Sequence, residues 1–199
     1  MAKLLFQGHG SYRITTDGGV AIYVDPYAGS GYEAPADIIL VTHQHGDHNR
    51  IQLPERKKTC VVIQNEDALQ NGEYRSFDIK GVKIQAVPAY NKNHDRNECV
   101  GYMLTVDDVK VYASGDTSTT GEMREYPSLH IDYALLPIDG VYNMGPVEAA
   151  RCAGLIGARH VIPIHMAPGM LFDRRKAEGF KAKNRLIVNA GEEIELKRY

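Results

Sequence analysis

Residues 37–49 read DIILVTHQHGDHN. The first six make a continuous apolar run of the kind found in a strand covered on both faces. Directly after it, His43, His45, Asp47 and His48 fall within six positions. Ligands that leave the carboxyl end of a strand sit where a loop departs from a rigid scaffold, which suits a site. Imidazole and carboxylate together suit zinc, manganese or iron. If the chain stays extended, a period of two puts His43, His45 and Asp47 on one side and leaves His48 to turn toward a second ion. Four potential ligands exceed what one open catalytic zinc requires, so a pair of ions is favoured. A solvated polar loop accounts for one or two histidines. It accounts badly for three of the chain's 8, with an aspartate, in so short a span.

Outward from this segment the pattern is strand-rich. Residues 11–16 and 20–24 read as two strands joined by Asp17-Gly18-Gly19, a hairpin signal. Further strands are expected near 60–64, 82–87, 99–106, 109–113, 132–136, 160–164, 185–189 and 192–196, with Asp107-Asp108 turning between two of them. Helices are fewer. Residues 146–156 carry Pro146 at the first helical position and meet a stop at Gly157. Residues 173–183 read as an exposed helix weakened by Gly179, and another follows Gly121. No linker, low-complexity tract or repeat divides the chain, so a single domain over residues 1–199 is expected. Many strands with helices between and after them imply stacked sheets with helices outside.

The 199 residues have 43% hydrophobic and 24% charged content, ordinary for a globular protein. A formal charge of −2 gives no global drive toward nucleic acid. No apolar run is long enough for a membrane-spanning helix. The start, MAKLLFQGHGSYR, lacks a signal peptide's long apolar region, so a cytoplasmic location is expected. Cys60, Cys99 and Cys152 are an odd number without a Cys-x-x-Cys pair, and are read as reduced thiols in small apolar positions.

The His-x-His-x-Asp-His run after an apolar strand resembles the signature of the metallo-β-lactamase superfamily. Further elements follow in the family's order: Asp25 in IYVDPY, His94 in NKNHDRN, Asp116 in YASGDTS and His165 in VIPIHM. The resemblance implies an α/β (α+β) fold, a four-layer αββα sandwich with a dinuclear metal site at one sheet edge. It implies that His43, His45 and His94 hold one ion, and that Asp47, His48 and His165 hold the other, with Asp116 bridging. Asp25 would orient a ligand imidazole. His45 stands where oxygen-reducing di-iron members carry Glu, which favours hydrolysis. Asp116 stands where β-lactamases often use Cys, which weakens that reading. The segments GHGSYRI, VPAYN and PIDGVYNMGPVEAA are similar to ascorbate-6-phosphate lactonase and its metal-dependent hydrolase relatives.

The function so implied is a metal-dependent hydrolase of a small ester, lactone or phosphodiester. It uses two divalent ions, Zn²⁺ foremost, with Mn²⁺, Ni²⁺ or Fe²⁺ as alternatives. Water activated by the ions replaces a Ser or Cys nucleophile, and no Gly-x-Ser-x-Gly elbow exists. Asp47 and Asp116 are the catalytic candidates, as metal holders able to take a proton from the attacking water. His9 at the pocket rim, Tyr90, Asn91, Tyr142 and Asn143 are candidate substrate contacts. Free N–H groups at the helix beginning near Pro146 make a phosphorylated substrate attractive. The partner is then a small molecule rather than a membrane, and a homo-oligomer is compatible. Two other readings stand beside it. One is a nuclease of the same superfamily, for which 199 residues leave no room for an added arm. The other is a non-catalytic metal-binding regulator, against which every ligand position is filled.

Overall fold

The computed structural model describes residues 1–198. Two six-stranded sheets face each other across one large apolar core. The first contains β1 (Lys3–Gly8), β2 (Ser11–Thr15), β3 (Ala21–Val24), β4 (Ala36–Leu40) and β5 (Arg56–Ile63). A short helix, α1 (Asn65–Ala68), and a two-stranded hairpin, β6 (Leu69–Gln70) with β7 (Glu73–Tyr74), follow. The second sheet contains β8 (Ser76–Ile79), β9 (Val82–Pro88), β10 (Val100–Val106), β11 (Val109–Ala113), β12 (Tyr133–Pro137) and β13 (His160–Ile164). The chain then returns to the first sheet, where β14 (Glu193–Glu195) pairs antiparallel with β1. The orders are β14-β1-β2-β3-β4-β5 and β13-β12-β11-β10-β9-β8.

Each sheet begins as an antiparallel meander and ends in three parallel strands, β3-β4-β5 in one and β11-β12-β13 in the other. Alternation decides what each strand buries. Leu4, Phe6, Tyr12, Ile14, Ile22, Val24, Ile38 and Leu40 point into the shared core against the second sheet's Val82, Ile84, Tyr102, Leu104 and Val111. Each such side chain contributes about 1.5–3 kcal/mol when fully buried. The intervening Ala21, Tyr23, Ala36 and Ile39 form a separate cluster on the opposite face of the first sheet. β4 is therefore buried along its whole length, as its apolar run predicts.

Helix α2 (Pro146–Ile156) has the expected bounds, with Gly157 left-handed (φ 69°) at its end. It packs on β12 and on a 3₁₀ helix over Glu122–Leu129, the element expected after Gly121. Pro127 lies inside that segment and cannot supply an N–H to an α-helical ladder. Helix α3 (Arg174–Gly179) is shorter than 173–183: Asp173 caps it by accepting from Lys176 N at 2.9 Å, and it stops at Gly179. The cluster on the outer face of the first sheet is covered by Tyr32, which stacks on Tyr23, and by Ile51, both in loops.

Two expectations need correction, and two strands stand where none was expected. Residues 185–189 make no strand; a single parallel bridge joins Arg185 to Val161. β1 exists although LLF is a short apolar run, because pairing to β2 and β14 on both sides buries Gln7 and Gly8 as well. β8 was not expected, and its alternation of exposed and half-buried residues marks an edge strand. The cysteines are all free, but Cys60 is only half-buried, whereas Cys99 and Cys152 are buried and pushed up to about 12 by that burial. Asp107 and Asp108 do turn between β10 and β11, both at positive φ (48° and 64°). No helix among the described residues is long and apolar enough to cross a membrane.

At the amino end of β4, Asp37 is buried yet charged. It accepts from Lys57 Nζ at 2.7 Å, Lys80 Nζ at 2.5 Å and Ala21 N at 3.0 Å. Burial raises its pKa, but the two lysines outweigh that and hold it at about 2. A depressed carboxyl adds stability above its unfolded pKa and loses it as pH falls toward the folded value. Asp37→Asn is expected to lower urea-unfolding stability by about 1–3 kcal/mol at pH 7. The gap from the parent should narrow as pH falls below 4; a gap independent of pH would refute this account.

Candidate metal centre

Five loops of the site leave the carboxyl end of a parallel strand, whereas the His94 loop follows antiparallel β9 and the His9 turn follows β1. Asp25 follows β3, the 42–48 loop follows β4, Asp116 follows β11, Asp139 follows β12 and His165 follows β13. The backbone turns sharply at three of these residues. His9, Asp25 and His165 have φ of 57°, 47° and 43°, a conformation that costs a non-glycine residue about 1–3 kcal/mol. Close approach makes one glycine necessary: a Cβ on Gly115 (φ 61°) would meet Thr42 Cβ at 2.9 Å and Val100 O at 2.9 Å. Without it the Asp116 turn could not close on the 42–48 loop.

The histidines and acids meet as three overlapping groups: His43, His45 and His94; His43, His48 and Asp116; and His9, Asp47, His48 and His165. Within each group the donor atoms lie within 4.8 Å of one another. Asp116, which is buried, lies between the sets. Its Oδ2 is 3.3 Å from His94 Nε2 and 3.4 Å from His165 Nε2, and its Oδ1 is 3.4 Å from His48 Nε2. Asp47 Oδ2 lies 3.5 Å from His165 Nε2 and 3.9 Å from His48 Nε2.

Three rings are hydrogen-bonded at Nδ1, and a fourth, that of His165, faces a carboxylate there. Thr42 Oγ1 donates its one hydrogen to Asp25 Oδ2 (2.7 Å), so His43 Nδ1 donates to Thr42 Oγ1 (3.0 Å). His48 Nδ1 donates to Asp25 Oδ2 at 2.9 Å. His94 Nδ1 donates to Asn91 Oδ1 at 3.0 Å, and His165 Nδ1 faces Asp139 Oδ2 at 3.2 Å. Each ring then turns its Nε2 toward the centre. His45 differs: its Nδ1 lies 3.1 Å from His43 Nε2. Two nitrogens on one tetrahedral zinc, at about 2.0–2.1 Å each, are about 3.3 Å apart, so this spacing fits a shared ion.

Buried His48 Nε2 and His165 Nε2 have no hydrogen-bond partner. Both face the carboxylates of Asp116 and Asp47, and ring nitrogens and carboxylate oxygens gathered round one point are a donor set that fits a divalent cation.

Electrostatics follow the same layout. Burial and the neighbouring His48 push His43 down to about 2. Burial also lowers His94. It opposes charge on His165 as well, but Asp116, Asp139 and Asp47 outweigh it and raise that ring to about 10. His48 is raised against its burial by Asp116 and Asp25. Burial raises Asp116, but His48, His165 and His43 hold it at about 2. Asp47 and Asp139 are held well below the usual carboxylate range, their burial outweighed foremost by His165.

A cavity of about 420 Å³ opens on this centre, lined by His45, Asp47, Asn93, His94, Asp116, Tyr142 and His165. Tyr142 is exposed at its mouth. The other substrate candidates stand elsewhere. His9 is buried, not at the rim: its Nε2 lies 3.0 Å from Asp47 Oδ2, its Nδ1 3.0 Å from Met170 O, and its ring packs on His165. Asn91 and Asn143 spend their amides on His94, on Asp139 and on each other. Tyr90 donates to Glu122 Oε2 at 3.1 Å under the Arg96 guanidinium. It lines a neighbouring cavity of about 460 Å³ with Lys92, Ser118, Thr119 and Glu148.

Sequence reasoning missed Asp139, Thr42 and Asn93. Asp139 ends an apolar strand just as Asp25 does, and that placement was the available signal. Asn93 donates to Tyr142 O at 2.7 Å, a contact between distant loops that no local motif announces.

Comparison with known proteins gives the same frame. The family model of the beta-lactamase superfamily domain matches residues 3–165. UPF0173 metal-dependent hydrolases from Thermococcus onnurineus and Thermococcus kodakarensis are each 34% identical over 228 residues, covering 98% of this chain and 100% of the relative. Among solved structures, Igni18, a metallo hydrolase from Ignicoccus hospitalis, shares the fold at a TM-score of 0.75 and 23% identity. That match covers 98% of this chain and 99% of the other. The metallo-beta-lactamase fold protein YhfI from Bacillus subtilis shares it at 0.72 and 14% identity, covering 98% and 100%. With its strand order, its clustered histidines and these relatives in agreement, the chain belongs to the metallo-β-lactamase superfamily, in the family of the UPF0173 metal-dependent hydrolases.

Proposed function

We propose that this chain is a metal-dependent hydrolase that cleaves a small ester, lactone or phosphodiester with two divalent ions, zinc foremost. The observation that carries this reading is Asp116, whose Oδ2 lies 3.3 Å from His94 Nε2 of one group and 3.4 Å from His165 Nε2 of the other, with Oδ1 3.4 Å from His48 Nε2. His43, His45 and His94 would hold one ion, and Asp47, His48 and His165 the other, with Asp116 between them. When bound, such a pair lowers the pKa of a coordinated water and polarises the carbonyl or phosphoryl oxygen under attack.

The chain's own residues do the rest. Asp47 is the least buried acid of the centre and lines the cavity, so it can receive a proton there and pass it to solvent. His9 holds that carboxylate from behind at 3.0 Å. Tyr142 borders the cavity mouth and offers a ring face and a hydroxyl to substrate. A volume of about 420 Å³ suits a small molecule. Lys92, Ser118 and Thr119 in the adjoining cavity favour a substrate that also carries a phosphate.

Metal analysis joined to a hydrolysis screen tests the reading. The panel is bis(p-nitrophenyl) phosphate, sugar lactones with and without phosphate, acyl esters, and single-stranded DNA and tRNA. Two ions per chain and turnover of a small substrate are expected, with His45→Ala lowering kcat/KM by at least about 100-fold. Parental rates in that variant would refute the site, and turnover of the polynucleotides alone would establish a nuclease.

Imidazole binds a metal ion only when neutral, so acid competes with the ions for five rings. Both metal content and rate are expected to fall between pH 8 and pH 5. A rate unchanged over that range would contradict the proposal.

A further inference from the structure

We propose that Asn143 is a positioning residue that makes the two halves of the centre interdependent: its side-chain amide fixes the rings of His94 and His165 together, and through them both ion positions. The inference rests on the metal reading above. Asn143 lies in the loop between β12 and α2 and is 8% exposed, so its amide must be satisfied inside the protein.

Its Oδ1 accepts from Asn91 Nδ2 at 3.0 Å, and its Nδ2 donates to Asp139 Oδ2 at 2.8 Å. On one side, Asn91 Oδ1 takes the Nδ1 hydrogen of His94 at 3.0 Å. On the other, Asp139 Oδ2 faces Nδ1 of His165 at 3.2 Å. The Nε2 atoms of both rings then face one oxygen, Asp116 Oδ2, at 3.3 and 3.4 Å. The contacts close a ring: Asp116, His94, Asn91, Asn143, Asp139, His165 and back to Asp116.

The ring has one direction. A carboxylate only accepts, so Asn143 must give its N–H to Asp139 and offer its oxygen to Asn91. Asn91 must then give its N–H to Asn143 and its oxygen to His94. That forces the His94 hydrogen onto Nδ1 and frees Nε2 toward the centre. Reversing the Asn143 amide would set oxygen against the Asp139 carboxylate and N–H against N–H. One amide therefore determines which nitrogen of His94 faces the ion, while helping to hold the carboxylate that aims His165. Of these three residues, Asn91 alone reaches His94 and Asp139 alone reaches His165; Asn143 joins the two, and its side chain also supports Asp116.

The test is a Co²⁺ titration of the metal-free full chain, read by visible absorption and by counting bound ions in native mass spectrometry. Asn143→Ala is expected to weaken both binding steps by about 10-fold or more and to alter the Co²⁺ bands of both sites. Asn91→Ala should weaken the His94 step alone. Adding it to Asn143→Ala should weaken that step little further. If Asn143→Ala does not fold, Asn143→Asp, of the same size but with oxygen facing Asp139, is measured instead with the same expectation.

Binding within twofold of the parent at both steps overturns the inference, as does weakening of one step only. So does a lowered melting temperature of the metal-free protein with an unchanged Co²⁺ spectrum, which is the mark of a merely structural role. A parent chain that takes up no Co²⁺ refutes the proposed function first and this inference with it, a result seen before any variant is compared.

Discussion

The carboxylate of Asp25 sits behind the metal centre and determines how that centre is built. It accepts from Thr42 N at 2.8 Å, from Thr42 Oγ1 at 2.7 Å and from His48 Nδ1 at 2.9 Å. Three of its contacts thus fall on the loop that carries four of the candidate ligands. Thr42, so held, receives the Nδ1 hydrogen of His43 in turn. A buried carboxylate without such donors would be several kcal/mol unfavourable, so the 42–48 loop and Asp25 stabilise each other or neither is tolerable. The left-handed backbone at Asp25 (φ 47°) follows from the same requirement. The side chain must turn back from the end of β3 to meet β4's loop, and the hydrogen bonds offset the strain.

The second sheet solves the same problem with Asp139. Its Oδ1 accepts from Val141 N at 2.6 Å, Tyr142 N at 2.7 Å and Asn143 N at 3.2 Å, and its Oδ2 faces His165. Here too a ring lies beside strained backbone, at His165 itself (φ 43°). Each half of the molecule therefore places a charged anchor at the end of a parallel strand and a ligand histidine within its reach. Parallel strands leave their carboxyl ends side by side, and opposed sheets bring two such ends together. The centre sits where the topology gathers the loops that leave these strands with the one that carries His94, and the large shared core keeps them there.

Much of this was legible in the chain. The apolar run before His43 marked a strand buried on both faces, and β4 is one. Helix α2 announced itself through Pro146 and Gly157, local chemistry that does not depend on the rest of the fold. The clustered histidines drew attention to the centre because imidazoles rarely gather by chance. What stayed hidden was relational. β1 and β8 earn their strand geometry from partners distant in sequence, and 185–189 loses it for want of them. Asn91 and Asn143 carried the polar character of substrate contacts, but side-chain type cannot tell whether an amide faces a ligand or a ligand's holder. His9 was misplaced for the same reason: its Gly-flanked turn looked exposed, and the return of residues 170–171 over it makes it buried.

Preorganisation divides the five candidate ligand rings unequally. His43, His48 and His94 are buried and hydrogen-bonded at Nδ1 to Thr42, Asp25 and Asn91, and buried His165 faces Asp139 at 3.2 Å. Their rotation is already spent in folding, so an arriving ion orders nothing there. His45 is exposed, and its Nδ1 meets only the ring of His43. Ordering it on binding costs about 0.5–1.5 kcal/mol, a small charge beside the gain from a ligand bond. The arrangement leaves one exposed donor beside a buried set, at the side of the centre that the cavity reaches. The side of the centre open to the cavity is thus the less constrained one, while the buried rings keep the geometry that the two sheets impose.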